Sequence, residues 1–187
     1  MSDAFIRVPE LMASHLLLAM AAMALGIVIS LPLAVAAARH PRLGRVVLGA
    51  ASLIQTIPSL ALLALFYPVL LALRGLVGDW VPALGFLPAL LALTLYAILP
   101  VLRNATTALV TLDPALREAA DGVGMTAWQK LWLVEAPIAA PVVMAGVRTA
   151  ATWTIGAAAL STTVGQPGLG DLLCAGLAAQ NWAPVAA

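Results

Sequence analysis

Few residues of this chain could do acid–base, metal or nucleophilic chemistry, and those few are scattered. His15 lies in a long apolar run with no carboxylate or cysteine at ligand spacing, and His40 lies among basic residues. The single cysteine, Cys174, has no partner for an internal disulfide. No G-x-x-x-x-G-K-S/T sequence is present to cradle the phosphates of ATP. The sequence therefore predicts no catalytic residue, metal site or bound cofactor, and it argues against a membrane-embedded enzyme.

The composition assigns the chain to a membrane. Of its 187 residues, 63% are hydrophobic and 9% are charged, whereas a soluble domain is about 45–50% apolar and about 25% charged. A formal net charge of +1, with Lys and Arg scattered, provides no basic surface for nucleic acid. We therefore expect residues 1–187 to form a single all-α membrane domain of about four to five transmembrane helices.

Four apolar stretches are long enough to cross a bilayer: residues 10–38, 46–73, 86–110 and 138–164. The second stretch is interrupted by polar residues around Pro58. Because proline has no backbone N–H and its ring crowds the preceding turn, the sequence predicts a kink in the second helix at this position.

Polar residues beside this proline are candidates to line a solute path. An interruption of a helix is tolerated at membrane depth only inside protein or beside a water-filled cavity. The residues concerned are Gln55, Thr56, Pro58 and Ser59. We expect the carbonyl that the proline leaves free to bond to a hydroxyl, a water or a neighbouring helix.

Arg148 lies within the fourth apolar stretch, where a charge is costly. It is a candidate for the same solute path if it faces the interior of the helix bundle. Alternatively, it pairs with a carbonyl or a carboxylate near the cytoplasmic side, with its stem extended toward water. Trp153 in the same stretch could face the path or pack against its neighbours, and packing is the interpretation that the sequence favours.

The distribution of basic residues predicts the orientation of the chain, because cytoplasmic connections carry an excess of Lys and Arg. Six of the nine basic residues lie in the first and third connections: Arg39, Arg42, Arg45, Arg103, Arg117 and Lys130. Only Arg7 and Arg74 flank the opposite side. We therefore expect these two connections in the cytoplasm and the N-terminus outside.

The third connection carries helix signals of its own. Asp113 is a good N-cap with Pro114 at the first helical position, and Gly122 is placed to end the helix about two turns later. Thr126 and Gln129 form a capping box. The connection is therefore expected to contain a short helix followed by the start of a second one.

Small residues in the first of these helices leave a surface of low relief, on which another protein can seat closely. They are Ala119, Ala120, Gly122 and Gly124, with Arg117 and Glu118 at the edge. A polar loop can also contain a capped, alanine-rich helix that has no partner. The second helix is expected to run from the capping box toward the prolines at 137 and 141.

The pattern in this connection resembles the EAA loop of ATP-binding-cassette importer permeases. That loop has the form E-A-A, three residues, G, nine residues, I, one residue, L-P. The matching residues here are Glu118, Ala119, Ala120, Gly124 and Pro137, with Val134 in place of the isoleucine and Ala136 in place of the leucine. In the family, a short coupling helix in this loop sits in a groove of the cytoplasmic ATPase. The resemblance implies an ATPase-coupling site formed by Glu118, Ala119, Ala120, Gly122, Gly124 and Pro137.

The resemblance also implies a type I importer fold and an assembly of several subunits. A cytoplasmic ATPase dimer would hold ATP and Mg²⁺, a second permease copy or a related permease would complete the path, and an extracytoplasmic protein would deliver the solute. The chain would be a multi-pass protein of the bacterial inner membrane, surrounded by lipid. Permeases of this family usually carry one more spanning helix after the glycine-rich segment 165–171, so we expect the last helix to be truncated here.

Three further stretches resemble the osmoprotectant branch of these permeases, namely residues 54–63, 99–104 and 165–170. Members of that branch import glycine betaine, choline, carnitine or proline. The methionine and sulfonate importers share the general layout and remain alternatives. A secondary transporter would need no ATPase and would leave the pattern between Glu118 and Pro137 unexplained.

Overall fold

The computed structural model describes residues 2–178, with side chains from residue 6 onward, and these residues contain helices and no strand. The elements are α1 (Ser2–Arg39), α2 (Pro41–Thr56), α3 (Ser59–Val77), α4 (Phe86–Val110), α5 (Pro114–Gly122), α6 (Ala127–Gln129), a π-helical segment (Lys130–Glu135), α7 (Ala136–Ala158), a 3₁₀ segment (Ala159–Val164) and α8 (Leu169–Ala178). The prediction of an all-helical fold is confirmed.

Four helical stretches are long and apolar enough to cross a membrane: Ile6–Arg39, Ser59–Val77, Phe86–Val110 and Ala127–Val164. The third has the predicted bounds, whereas the first and the fourth begin earlier than the sequence predicts. The final part of the helix expected to be truncated falls on residues 179–187, which lie outside the described residues.

α4 is the central helix, packed between α1 and α7 and against α2 and α3. Its Leu93 side chain is buried. A Cβ added to Gly26 of α1 would lie 2.7 Å from the Cβ of Ala97, and one added to Gly146 of α7 would lie 2.7 Å from the carbonyl oxygen of Pro100. Such small residues allow helices to approach closely in a membrane, where van der Waals packing drives their association. Glycines therefore set the contacts on two sides of α4.

The predicted kink at Pro58 is a complete break between α2 and α3. Ile57 and Pro58 are both extended, with ψ angles of 124° and 139°, and a residue before proline disfavours the α conformation. α4 supplies the bonding partners: the Tyr96 hydroxyl donates to the Ile57 carbonyl, and Gln55 Nε2 donates to the Tyr96 carbonyl at 3.2 Å. The carbonyl that Pro58 leaves without its helical donor is that of Ile54, and it accepts from the Ile57 amide at 3.1 Å. The expected bond from a hydroxyl or a neighbouring helix is therefore made to Ile57 and not to Ile54, and the single kinked helix is wrong.

The glycine-rich segment turns the chain from the 3₁₀ segment into α8. Gly165 has a φ of +82°, in the left-handed region that favours glycine. A Cβ on Gly170 would clash with the carbonyl oxygen of Ala159, so the backbones are in direct contact there. Ser14 of α1 donates a hydrogen bond to the Pro167 carbonyl at 2.8 Å. This segment is therefore held between α1 and the end of the fourth span.

Candidate functional site

Both predicted helix starts in the third connection are confirmed. Asp113 Oδ1 accepts a hydrogen bond from Ala115 N at 2.9 Å, and Pro114 occupies the first turn of α5. Thr126 and Gln129 form the predicted capping box, with Thr126 N donating to Gln129 Oε1 at 2.8 Å and Gln129 N donating to Thr126 Oγ1 at 3.3 Å. These bonds satisfy backbone donors that a helix start leaves free.

The end of α5 differs from the prediction. Gly122 is the last helical residue, but the residue that turns the chain is Gly124, whose φ is +77°. The Met125 amide donates to the Ala120 carbonyl at 3.0 Å, and the Gly124 amide donates to the Asp121 carbonyl at 2.9 Å. These two bonds are those of a Schellman motif, in which glycine occupies the first position past the cap.

Most of the predicted coupling residues in the third connection are exposed. The exposed ones are Glu118, Ala119, Gly122 and Gly124. Ala120 is 4% exposed, so the prediction that it belongs to the seating surface is wrong. The reason is helical spacing: Ala120 lies three residues after Arg117, and both are on the face of α5 that is turned toward the rest of the chain.

Pro137, the last residue of the predicted coupling set, lies at the start of α7, and the helix continues past both Pro137 and Pro141. Pro137 has no amide hydrogen to donate four residues back. Immediately before it, the Ala136 amide donates to the Leu131 carbonyl, five residues back, at the end of the π-helical segment. We attribute the π-helical segment to this proline, which thereby acts on the backbone that joins the connection to the fourth span.

Glu135 joins three parts of the chain at the end of the π-helical segment. It is 1% exposed, and its Oε2 accepts a hydrogen bond from Arg39 Nη2 at 2.5 Å, while its Oε1 accepts one from Arg117 Nε at 2.9 Å. Arg117 Nη2 also donates to the Leu109 carbonyl at 2.5 Å. A single buried carboxylate therefore connects the end of α1, α5 and the beginning of the fourth span.

The sequence prediction assigned no role to Glu135. The available signal was a lone carboxylate between Val134 and Ala136, in a run that is otherwise apolar from Leu131 onward. A second ion pair, between Lys130 Nζ and Asp121 Oδ1 at 2.5 Å, also holds α5 to the π-helical segment, and its carboxylate is exposed.

The predicted path residues do not converge on one site. Ser59 lines a shallow pocket of about 370 Å³. Gln55 bonds to α4, while Thr56 and Pro58 are exposed and outside this pocket. The pocket is lined by Ser59, Tyr96, Thr152, Trp153, Gly156, Ala157 and Leu160.

Arg148 and Trp153 of α7 are both exposed in the described part of the chain. Arg148 makes no ion pair with any described residue, so the alternative of pairing with a carboxylate of the described chain is wrong. Trp153 is 48% exposed and lines the pocket, so the favoured interpretation of a packed side chain is wrong. The two residues lie on different sides of α7, because five residues advance a helix by about 140° beyond a full turn, and Trp153 shares its pocket with Tyr96 of α4.

His15 is buried in α1, and its Nε2 lies 3.0 Å from the Ile155 carbonyl oxygen, to which it donates. This bond links α1 to α7. Within the described part of the chain, no three His, Cys, Asp or Glu side chains are placed to hold a metal ion together.

Comparison with known proteins identifies the family. Residues 26–185 match the family described as the binding-protein-dependent transport system inner membrane component. The chain belongs to this family. It is a multi-pass inner-membrane permease component of an ATP-binding-cassette importer.

The permease is similar to two curated relatives over most of its length. It is 46% identical over 167 residues to the osmoprotectant import permease protein OsmW of Salmonella typhimurium, covering 89% of this chain and 74% of the relative. It is 40% identical over 163 residues to the glycine betaine/carnitine/choline transport system permease protein OpuCB of Bacillus subtilis, covering 87% of this chain and 70% of the relative.

The fold of the permease is similar to that of a solved importer. A chain of the inward-facing MetNI methionine ABC transporter matches with a TM-score of 0.73 and 24% identity, over 90% of this chain and 78% of that one. At this identity the match concerns the fold, and it confirms the predicted helical architecture of an importer permease.

Proposed function

We propose that the permease imports small osmoprotectants: glycine betaine, choline, carnitine or proline. The names of the relatives support the first three, since OsmW is an osmoprotectant import permease and OpuCB belongs to a glycine betaine/carnitine/choline system. A methionine- or sulfonate-type solute is the alternative.

The energy for import enters through α5. The observation that carries this proposal is a short helix, capped at both ends, with Glu118, Ala119 and Gly122 on its exposed face. A cytoplasmic ATPase dimer that holds ATP and Mg²⁺ binds to this face, which we call the seat. Ala120 fixes the position of α5, and Pro137 fixes the backbone between the connection and the fourth span.

The third connection faces the cytoplasm, and the N-terminus lies outside. The Glu135 cluster supports this orientation because it brings Arg39 and Arg117, from the two basic connections, to the same end of the bundle. The positive-inside rule assigns that end to the cytoplasm.

The solute path runs along the face of α7 that exposes Arg148 and along the break between α2 and α3. Gln55, Thr56, Pro58, Ser59 and Arg148 are its candidate residues. An exposed arginine within a span is costly in lipid, so protein or a water-filled path must cover it. A second permease copy, or a related permease, encloses this path, and an extracytoplasmic binding protein delivers the solute to it.

Uptake by the reconstituted complex of permease, ATPase and binding protein tests the solute class. We expect ATP-dependent uptake of labelled glycine betaine and its competition by unlabelled choline, carnitine or proline. Uptake that persists after ATP depletion, with the proton gradient kept, would indicate a secondary transporter. Absence of uptake or competition by all four solutes would contradict the osmoprotectant class, and competition by methionine or a sulfonate would favour the alternative.

A substitution on α5 tests the coupling role. Glu118→Lys places an opposite charge and a longer side chain on the exposed face, so we expect the ATPase to co-purify poorly and uptake to fall, while the permease still inserts into the membrane. Asp79→Lys is the matched control, because Asp79 is an exposed carboxylate in the connection between α3 and α4. Equal co-purification of the ATPase with both variants would contradict the proposed seat.

A further inference from the structure

Among the described residues, Glu135 is the one charged group that makes two ion pairs, and it lies beside the proposed ATPase-binding face of α5 rather than on it. Glu135 is buried, whereas the Arg39 and Arg117 side chains that bind it are 38% and 32% exposed. The two arginines bind different oxygens of the carboxylate. Each oxygen therefore connects a different element to the π-helical segment.

α5 has few other attachments to the membrane-spanning helices. Ala120 is its one buried residue, and its other ion pair, Asp121 to Lys130, reaches the same π-helical segment. Arg117 adds a bond to the Leu109 carbonyl at the end of α4. The chain itself joins α5 to α4 and to the fourth stretch, which the Asp121–Lys130 pair also reaches. A displacement of α5 therefore reaches α1 through Arg117 and the carboxylate that it shares with Arg39.

We propose that Glu135 is a positioning residue for energy coupling, which passes movement of α5 to α1 through Arg39. This inference rests on the proposed seat of the ATPase on α5. Charge-assisted hydrogen bonds suit this role because they are stronger and more directional than contacts between small apolar side chains. Burial of the carboxylate excludes the water that would otherwise compete for the two arginines.

Three variants separate the two ion pairs of Glu135, one with Arg39 of α1 and one with Arg117 of α5. Glu135→Gln keeps the shape of the side chain and removes its charge, which weakens both ion pairs. Arg39→Met removes only the ion pair with α1 and leaves Arg117 bound to Glu135. Arg39→Lys restores the charge on α1. Asp79→Asn is the matched control, because it removes the carboxylate charge from the exposed ion pair with Arg74.

The decisive measurement is the number of glycine betaine molecules taken up per ATP hydrolysed by the reconstituted complex. We expect this ratio to fall about fivefold or more in Glu135→Gln and in Arg39→Met, to recover in Arg39→Lys and to be unchanged in Asp79→Asn. ATPase co-purification should be retained. An unchanged ratio in Glu135→Gln or Arg39→Met, including an equal fall of uptake and hydrolysis, would overturn the proposal.

A second measurement does not depend on the solute. In a Cys174→Ala background, Met20→Cys places a thiol on the exposed side of α1, where an environment-sensitive fluorophore can be attached. We expect ATP to change its emission in the otherwise wild-type complex and not after Arg39→Met. If the wild-type complex responds to ATP but takes up no glycine betaine, the solute assignment fails and the coupling inference stands. An equal response with and without Arg39→Met overturns the inference alone.

Discussion

At the scale of the residue, the predictions that succeeded rest on contacts between close neighbours in sequence. The cap at Asp113 and the capping box at Thr126 each bond within three residues, so local rules are sufficient to find them. Gly122 was assigned the role of Gly124 because both glycines lie near the end of the helix, and the sequence does not state which of them has the positive φ. Glu135 was missed because its partner Arg39 is 96 residues away.

Substitution of Gly124 tests the importance of the turn after α5. Its φ of +77° costs an alanine about 1–2 kcal/mol, whereas asparagine enters this region more readily. Since a Cβ at this position would meet no other atom of the described chain, backbone conformation decides how well the turn forms. We therefore expect uptake and ATPase co-purification to decrease in the order Gly, Asn, Ala. Full function of Gly124→Ala would show that the left-handed turn is dispensable.

At the scale of the element, α4 was predicted with its observed bounds because it is mostly apolar and lies between Gly85 and Thr111, although it contains Arg103 and Asn104. The second apolar stretch was harder to predict, because the choice between a kink and a break depends on α4. Tyr96 and Gln55 bond across the break over separations of 39 and 41 residues. These bonds stabilise two extended residues that a helix in isolation would not keep.

The close contact between α7 and α4 predicts different outcomes for two glycines of the same helix. Gly146→Ala should destabilise the permease by about 1–3 kcal/mol, because its Cβ would lie 2.7 Å from the Pro100 carbonyl oxygen and 2.8 Å from Asn104 Cβ. Gly156→Ala meets open space and should be neutral or slightly stabilising. Thermal unfolding of the two variants in detergent makes the comparison, and equal melting temperatures would contradict it.

At the scale of the whole molecule, one side of α7 has no cover within the described chain. Arg148 is exposed there, in a segment apolar enough to span the membrane. The resemblance implied a second permease that completes the path, but the sequence could not indicate which side of the bundle it covers. In the proposal made above it covers the face of α7 that carries Arg148, because lipid disfavours a charge there.

Cysteine cross-linking tests whether α7 faces a second permease subunit. In a Cys174→Ala background, Met144→Cys on α7 should give a cross-linked product with a short thiol reagent, because α7 would meet its counterpart across a two-fold axis. Met20→Cys on α1 is the matched control, since Met20 and Met144 are 70% and 61% exposed. A product from Met20→Cys and none from Met144→Cys would place the subunit contact on α1 instead.

The π-helical segment also determines how far α7 is rotated about its axis relative to α6. A regular α-helix advances about 100° per residue, and a π turn holds roughly one residue more than an α turn. If the segment were regular, α7 would be rotated by about 100° relative to α6, and Arg148 would turn away from its present direction. Pro137, to which we attribute the π-helical segment, therefore determines the rotation of the fourth span about its own axis and with it the direction in which Arg148 points.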